Sequence, residues 1–159
     1  MNNLKSKNPN VPIKASLTFQ QYSGLEYLTI THIPVLRIGD AHPPPKIIFN
    51  SKLNQAIATR ILRANLPIRG KELYFFRTTV SKLSLEKFSR ELNVSSVTIF
   101  NWEQEPTRRL HIVNEVAIRA LIAEKLNLTL KLRLLGPTTT SISIKISAKK
   151  LIKFNELKE

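Results

Sequence analysis

Residues 83–103 constrain the fold of this chain more than any other segment, because they predict two short helices joined by a tight turn. The segment reads LSLEKFSRELNVSSVTIFNWE. Ser84 is a good N-cap for the first helix, and Asn93 can adopt the left-handed conformation that ends it. The apolar positions of this helix, at the 3.6-residue period, are Leu85, Phe88 and Leu92. Val94 then returns the chain to the core.

The second helix of the pair covers residues 95–104 and has an inward and an outward side. Ser95 can cap it, and Ile99 and Trp102 have the spacing of an inward side. The side chains on its other faces are Ser96, Val97, Phe100 and Asn101. Phe100 has two interpretations, since it either meets a partner or packs into the bundle. The outward set is small enough to enter the major groove of DNA.

At these residues the chain resembles the Cro/repressor-type (XRE-like) helix-turn-helix of bacterial regulators. The matching positions are Leu83-Ser84, Phe88-Ser89, Leu92-Asn93-Val94-Ser95, Thr98-Ile99 and Trp102-Glu103. The usual run of the family has Ser-Gln, Leu-Ala, Leu-Gly-Val-Ser, Thr-Val or Thr-Ile, and Trp-Glu at these places. Gly70-Lys71-Glu72 and Phe76-Arg77 resemble the preceding helix, and residues 22–57 resemble the N-terminal region of some antitoxin-like regulators. The departures are Leu85 in place of a frequent Gln, and Asn93 and Glu105 in place of Gly.

The resemblance implies a sequence-specific double-stranded DNA-binding regulator, a repressor that binds as a homodimer with the second helix in the major groove. Base contacts are expected from Ser96, Val97, Phe100 and Asn101. The amide of Asn can pair with adenine, apolar side chains can contact the thymine methyl, and Ser hydroxyls can reach base edges or phosphates. Backbone contacts are expected from Ser84, Ser95, Thr98, Arg77, Lys82, Arg108 and Arg109.

The charge of the chain also favours nucleic acid. It has 25 Lys and Arg against 11 Asp and Glu, a formal charge of +14, which attracts polyanions through counterion release. Residues 84–105 themselves carry a net charge of −2, because Lys87 and Arg90 are outnumbered by four glutamates. Positive residues bracket this segment: Lys52, Arg60, Arg63, Arg69, Lys71, Arg77, Lys82, Arg108 and Arg109. We expect such flanking cations to hold phosphates while the second helix inspects bases.

Catalytic and metal-binding patterns are not found in the sequence. The chain has no cysteine, and its three histidines, His32, His42 and His111, are far apart. No Gly-rich phosphate loop or nucleophile motif occurs around its four glycines. We expect a protein that is not an enzyme and that uses neither a cofactor nor a metal. The lack of a signal-peptide or membrane-spanning run predicts a cytoplasmic, nucleoid-associated protein without a membrane partner.

The predicted architecture is mainly α with small β elements, built on a helix-turn-helix bundle of about five helices. Four regions are expected: a disordered basic arm (1–16), a small N-terminal β/α region (17–66), the helix-turn-helix domain (67–127) and a C-terminal hairpin with a tail (128–159). Besides the helix pair, helices are expected at 51–64, 70–81 and 108–126. Strands are expected within 25–38, where Pro34 needs an edge or a bend, and at 46–49.

The C-terminal alternation predicts two antiparallel strands, at 128–134 and 142–147, although the leucine-rich first run can instead prolong the preceding helix. The hairpin either pairs across a dimer twofold or packs on the N-terminal sheet. Other functions stay open as well. The chain could be an antitoxin that also binds a toxin protein, or a non-catalytic protein-interaction module. An RNA-binding protein is a further possibility, but the sequence lacks the aromatic platforms that single-stranded RNA needs.

Overall fold

The computed structural model of the protein describes residues 13–37, 51–64, 66–130 and 144–147. Within these ranges the chain forms five α-helices, a short 3-10 helix (Tyr22–Gly24), a π-helical segment and a three-stranded sheet. The prediction of a mainly α fold with small β elements is confirmed. Residues 1–12, the strand expected at 46–49 and the tail from residue 148 lie outside the described residues.

The sheet is mixed and joins both ends of the described chain. Strand β1 (Ile13–Gln20) pairs antiparallel with β2 (Leu28–Arg37), and β3 (Ile144–Ser147) pairs in parallel with β2, which gives the order β1-β2-β3. The prediction that the disordered arm extends to residue 16 is wrong, because residues 13–16 belong to β1 and pair with residues 34–37. Pro34 lies in the part of β2 beyond the residues that pair with β3, where one missing N–H costs the sheet least.

The expected C-terminal hairpin differs from the structure where the two can be compared. Residues 128–130 form no strand, and the N–H of Leu128 instead donates to the carbonyl of Ala123 at 2.8 Å, which closes the end of the preceding helix. Ile144 and Ile146 are buried opposite Leu28 and Ile30. Burial of these apolar side chains explains the packing on the N-terminal sheet, the second of the two arrangements expected. Residues 131–143 lie outside the described residues.

The helices follow the predicted spacing closely. They are α1 (Ser51–Arg63), α2 (Gly70–Phe75), α3 (Leu85–Glu91), α4 (Ser96–Gln104) and α5 (Ile112–Lys125). Helix α2 continues directly into a π-helical segment (Phe76–Ser81), so the helix expected at 70–81 is present but changes its winding. The helix expected from residue 108 begins at Ile112, because residues 105–111 form a turn and a β-bridge between Arg109 and Arg69.

One hydrophobic core joins the sheet and the helices. Its fully buried members include Leu28 and Ile30 of β2, Ile57 and Ile61 of α1, Phe75, Phe76, Phe88, Ile99 and Ile118. Arg119 is also buried on α5, and its guanidinium donates to the carbonyl of Leu62 in the last turn of α1 and to that of Leu66 just after this helix. Burial lowers the pKa of Arg119 below the usual arginine value. None of the helices in the described ranges is long and apolar enough to cross a membrane.

Candidate nucleic-acid interface

Helices α3 and α4 and the turn between them form the predicted helix pair. The Oγ of Ser84 accepts from the N–H of Lys87 at 3.3 Å, and the Oγ of Ser95 accepts from the N–H of Thr98 at 3.0 Å. Asn93 has a φ of 55°, in the left-handed region, and the next N–H, of Val94, closes the end of α3. Both predicted caps and the predicted turn residue are therefore confirmed.

Helix α4 has one side in the core and one side in solvent. Ile99 is fully buried, and Trp102 packs against the core while half-buried, as expected of the inward side. Val97 is 64% exposed and Phe100 is 47% exposed. The remaining outward positions are Ser96, which is half-buried, and Asn101, which is exposed. Of the two interpretations of Phe100, the structure supports the outward-facing one.

A buried ion pair joins α4 to the helix before the motif. The guanidinium of Arg77 donates to both carboxylate oxygens of Glu103 at 2.7 Å, and to the carbonyl of Leu83 at 3.1 Å. The two side chains are only 11% and 6% exposed. The hydrogen bond to Glu103 raises the pKa of Arg77 above its usual value. The expectation that Arg77 contacts the DNA backbone is corrected, because its donors already bind partners inside the protein.

The end of α4 also packs closely on the start of α2. A Cβ at Gly70 would lie 2.6 Å from the carbonyl oxygen of Glu105 and closer still to that of Trp102, so only glycine permits this approach. Beside it, the N–H of Lys71 donates to the carbonyl of Pro106 at 3.2 Å. Gly70 belongs to the residues that carry the family resemblance, but the sequence does not show this close approach of two helices. An isolated glycine at a helix start was the available signal.

Arg108 and Arg109 are adjacent but differ in how firmly they are held. Arg108 pairs with Glu105 at 2.8 Å, and these side chains are 73% and 48% exposed. Arg109 pairs with Glu115 at 2.6 Å, and that glutamate is only 2% exposed. An exposed pair can exchange its carboxylate for a phosphate, whereas removing Arg109 would leave a buried carboxylate without its guanidinium partner. Arg108 is therefore the better candidate for a backbone contact.

A cavity of about 150 Å³ lies beside this arginine pair, between the end of α4 and the start of α5. Its lining includes Trp102, Arg108, Arg109, His111 and Asn114.

The cations that bracket the motif are mostly held by carboxylates. The ion pairs are Arg69–Glu72, Lys71–Glu26, Arg77–Glu103, Arg108–Glu105 and Arg109–Glu115. The number of charges along the sequence does not show which carboxylate binds each cation, because some of these carboxylates are far away in the chain. Lys82 is exposed and has a left-handed φ of 54° directly after the π-helical segment. The exposed basic residues on the helix pair itself are Lys87 and Arg90.

A polar network connects the N-terminal sheet to the start of α2. The hydroxyl of Tyr27 donates to Glu72 at 3.0 Å, and Arg69 donates to the same carboxylate through its backbone and its guanidinium. Burial, assisted by the charge of Glu72, raises the pKa of Tyr27 far above its usual value. Lys71 binds Glu26 at 2.6 Å beside this network. These contacts hold the β region against the helix that supports α4.

The structure thus places Ser96, Val97, Phe100 and Asn101 on the outward part of a single short helix. Ser84, Ser95 and Thr98 lie at the starts of α3 and α4, where the hydroxyls of Ser95 and Thr98 are 2.7 Å apart. Neither a protein-family model, nor a curated protein, nor a solved structure matches this chain.

Proposed function

We propose that this protein is a sequence-specific double-stranded DNA-binding regulator of the Cro/repressor type, and that α4 enters the major groove. The outward part of α4 carries this proposal, because Val97, Phe100 and Asn101 are exposed on a helix whose inner side is fixed. A side chain that reads a base must be both accessible and held in place. The buried ion pair between Arg77 and Glu103 holds α4 in place from its inner side.

The proposed grip on the DNA backbone uses groups around α4. Lys82 is exposed before α3, Arg108 is exposed after α4, and Ser84 and Ser95 are exposed at the helix starts. Phosphate contacts of this kind fix the orientation of a protein on the duplex without reading its sequence. The formal charge of +14 adds a favourable, salt-dependent contribution to binding.

A homodimer is part of the proposal, and the solvent side of α5 is the surface that favours it. Val113 and Ala117 are exposed, and Val116 and Leu121 are half-buried, on one side of this helix. Of the charged residues of α5, Glu115 and Arg119 are buried, and Glu124 and Lys125 are exposed in its last turn. An apolar outer side is typical of a helix that meets another protein. Two copies joined in this way would read two half-sites and repress by occluding a promoter.

The same surface of α5 favours a second candidate, a non-catalytic protein-interaction module. An antitoxin that represses its own operon and binds a toxin protein would combine both functions. The two candidates differ in what α4 does, because an interaction module does not need an exposed base-reading side. Loss of DNA binding after substitutions on α4 alone would therefore favour the regulator.

The test is selection of bound fragments from a library of random duplex DNA by the full chain, with random duplex DNA and RNA as competitors. We expect a defined sequence to be enriched, and the double substitution of Ser96 and Asn101 by alanine to lose that enrichment. The matched control is Gln55→Ala, because Gln55 is exposed on α1, which is not part of the helix pair. If no duplex were preferred over random DNA at physiological salt, the proposed function would be wrong.

A further inference from the structure

The recognition side of α4 contains no positive charge. The helix reads SVTIFNWEQ, and its one ionisable residue, Glu103, is bound to Arg77 on the inner side. The commonest specific contact to guanine is an arginine or lysine that donates to O6 and N7 in the major groove. Helix α4 offers no such donor pair. The basic side chains near it, at Lys82, Lys87, Arg90 and Arg108, belong to other segments of the chain.

What α4 does offer is complementary to A·T base pairs. Val97 and Phe100 are one turn apart and expose the most apolar surface of the helix. The C5 methyl of thymine is the one apolar group that an unmodified base pair presents in the major groove. Asn101 and Gln104 are exposed and carry amides, which can accept from N6 and donate to N7 of adenine.

The polar residues at the start of α4 add little that would favour guanine. The hydroxyls of Ser95 and Thr98 lie 2.7 Å apart and share a hydrogen bond, and the Oγ of Ser95 also accepts from a backbone N–H. Ser96 is half-buried, and a serine hydroxyl can bind to any of the bases. The strongest discrimination available to this helix is therefore apolar contact combined with amide pairing.

We propose that α4 reads a half-site dominated by A·T pairs, with Val97 and Phe100 on thymine C5 methyl groups and Asn101 and Gln104 on adenine. This inference rests on the proposed function and adds the class of sequence that is bound. It predicts that affinity depends on the methyl groups themselves. Each methyl buried against an apolar side chain should contribute about fourfold to affinity, the value expected for one buried carbon group.

The experiment uses the enriched duplex from the selection above. Each thymine of the half-site is replaced in turn by deoxyuridine, which pairs with adenine in the same way but lacks the methyl, and the Kd of the full chain is measured. We expect about fourfold weaker binding at one or two positions and no change at the others. In Phe100→Ala and Val97→Ala, the penalty at the position that each side chain contacts should disappear.

Val113→Ala is the matched control, because Val113 is 65% exposed on α5, almost the same as Val97 on α4. Whatever its effect on affinity, this variant should retain the full penalty for deoxyuridine. Phe100→Leu, which keeps an apolar side chain, should also retain most of it.

The possible failures are distinct. If no sequence is enriched, the proposed function itself fails. If the enriched half-site is rich in G·C pairs, or if deoxyuridine changes nothing at any position, DNA binding stands and the proposed reading of A·T pairs is wrong. If replacing thymine by deoxyuridine weakens binding equally in the parent, Val97→Ala and Phe100→Ala, the proposed contacts of these two side chains with the methyl groups are wrong.

Discussion

The two sides of α4 differ in what they contact, although they belong to one nine-residue helix. The inner side is fixed by Ile99 in the core, by the ion pair of Glu103 with Arg77, and by the close approach of Gly70. The outer side exposes Val97 and Phe100 to solvent. Substitutions on the inner side should therefore change the stability of the protein, and those on the outer side should change binding alone.

The largest effect is expected from Arg77→Ala. It would leave the carboxylate of Glu103 buried without a partner, which should lower the free energy of unfolding by about 3–5 kcal/mol. Urea denaturation followed by circular dichroism would measure the loss. The double variant Arg77→Met with Glu103→Met removes both charges and should recover most of the stability. A loss below about 1 kcal/mol for Arg77→Ala would mean that the pair behaves as a surface pair.

Gly70→Ala should have the next largest effect. The added methyl would meet the carbonyls of Trp102 and Glu105, and overpacking of this kind costs about 1–3 kcal/mol. The end of α4 would have to move, so affinity for DNA should fall as well. Gly24→Ala is the matched control, because Gly24 has a φ of +75° but open space around it. It should cost about 1 kcal/mol from backbone strain and leave affinity unchanged.

Phe100→Ala should leave stability within about 0.5 kcal/mol of the parent protein, because an exposed side chain loses little packing. Its affinity for the selected duplex should fall about fourfold, because the apolar contact with one thymine methyl is lost. Thermal melting and fluorescence anisotropy with labelled duplex would give the two values. A large loss of stability would show that Phe100 packs into the bundle in solution.

Arg108→Ala tests the proposed contact with a DNA phosphate and not the contacts with bases. Affinity should fall equally for selected and random duplexes, and the slope of log K against log salt should decrease by about one unit. Melting temperature should hardly change, because the pair with Glu105 is exposed. Arg109→Ala provides the contrast, since loss of the partner of buried Glu115 should lower the melting temperature. An unchanged salt slope in Arg108→Ala would remove this residue from the interface.

The smallest effect concerns pH. The hydrogen bond and charge of Lys71 lower the pKa of Glu26 below its usual value of 4.5. Glu26 should therefore stabilise the folded protein above its unfolded-state pKa, and this contribution should be lost as pH falls through the folded-state pKa. In Glu26→Gln, the difference in melting temperature from the parent should be constant around pH 7 and decrease as pH falls through the folded-state pKa of Glu26, which lies below 4.5. A difference that does not change with pH in the acid range would rule out this ionisation as its source.

The features of α3 and α4 that the sequence predicted are local ones. Ser84, Ser95 and Asn93 act within three or four residues of themselves, so capping chemistry and periodicity suffice to place them. The support of α4 is not local. Arg77 meets Glu103 and Lys71 meets Glu26 only after the chain has folded, and a run of charges in sequence does not show which cation has a partner. For this reason Arg77 was expected at the DNA and is found inside the protein.

The C-terminal strand shows the same limit in the sheet. Alternation of Ile144 and Ile146 with polar residues predicts a strand but not its neighbour. An adjacent apolar run favoured a hairpin, while the buried positions of Leu28 and Ile30 provided the better partner. The choice between them depends on packing of residues far apart in the chain, which periodicity does not contain.

The parallel pairing of β3 with β2 has a consequence for the order of folding. Contacts between distant residues form slowly, because a long loop must close before they contribute. The contacts within α3 and α4 are short-range and can form early. Leu28 can pair with Ile144 only after the long loop between them has closed. The helix pair can therefore assemble before the sheet is complete, and the third strand should be the last to join.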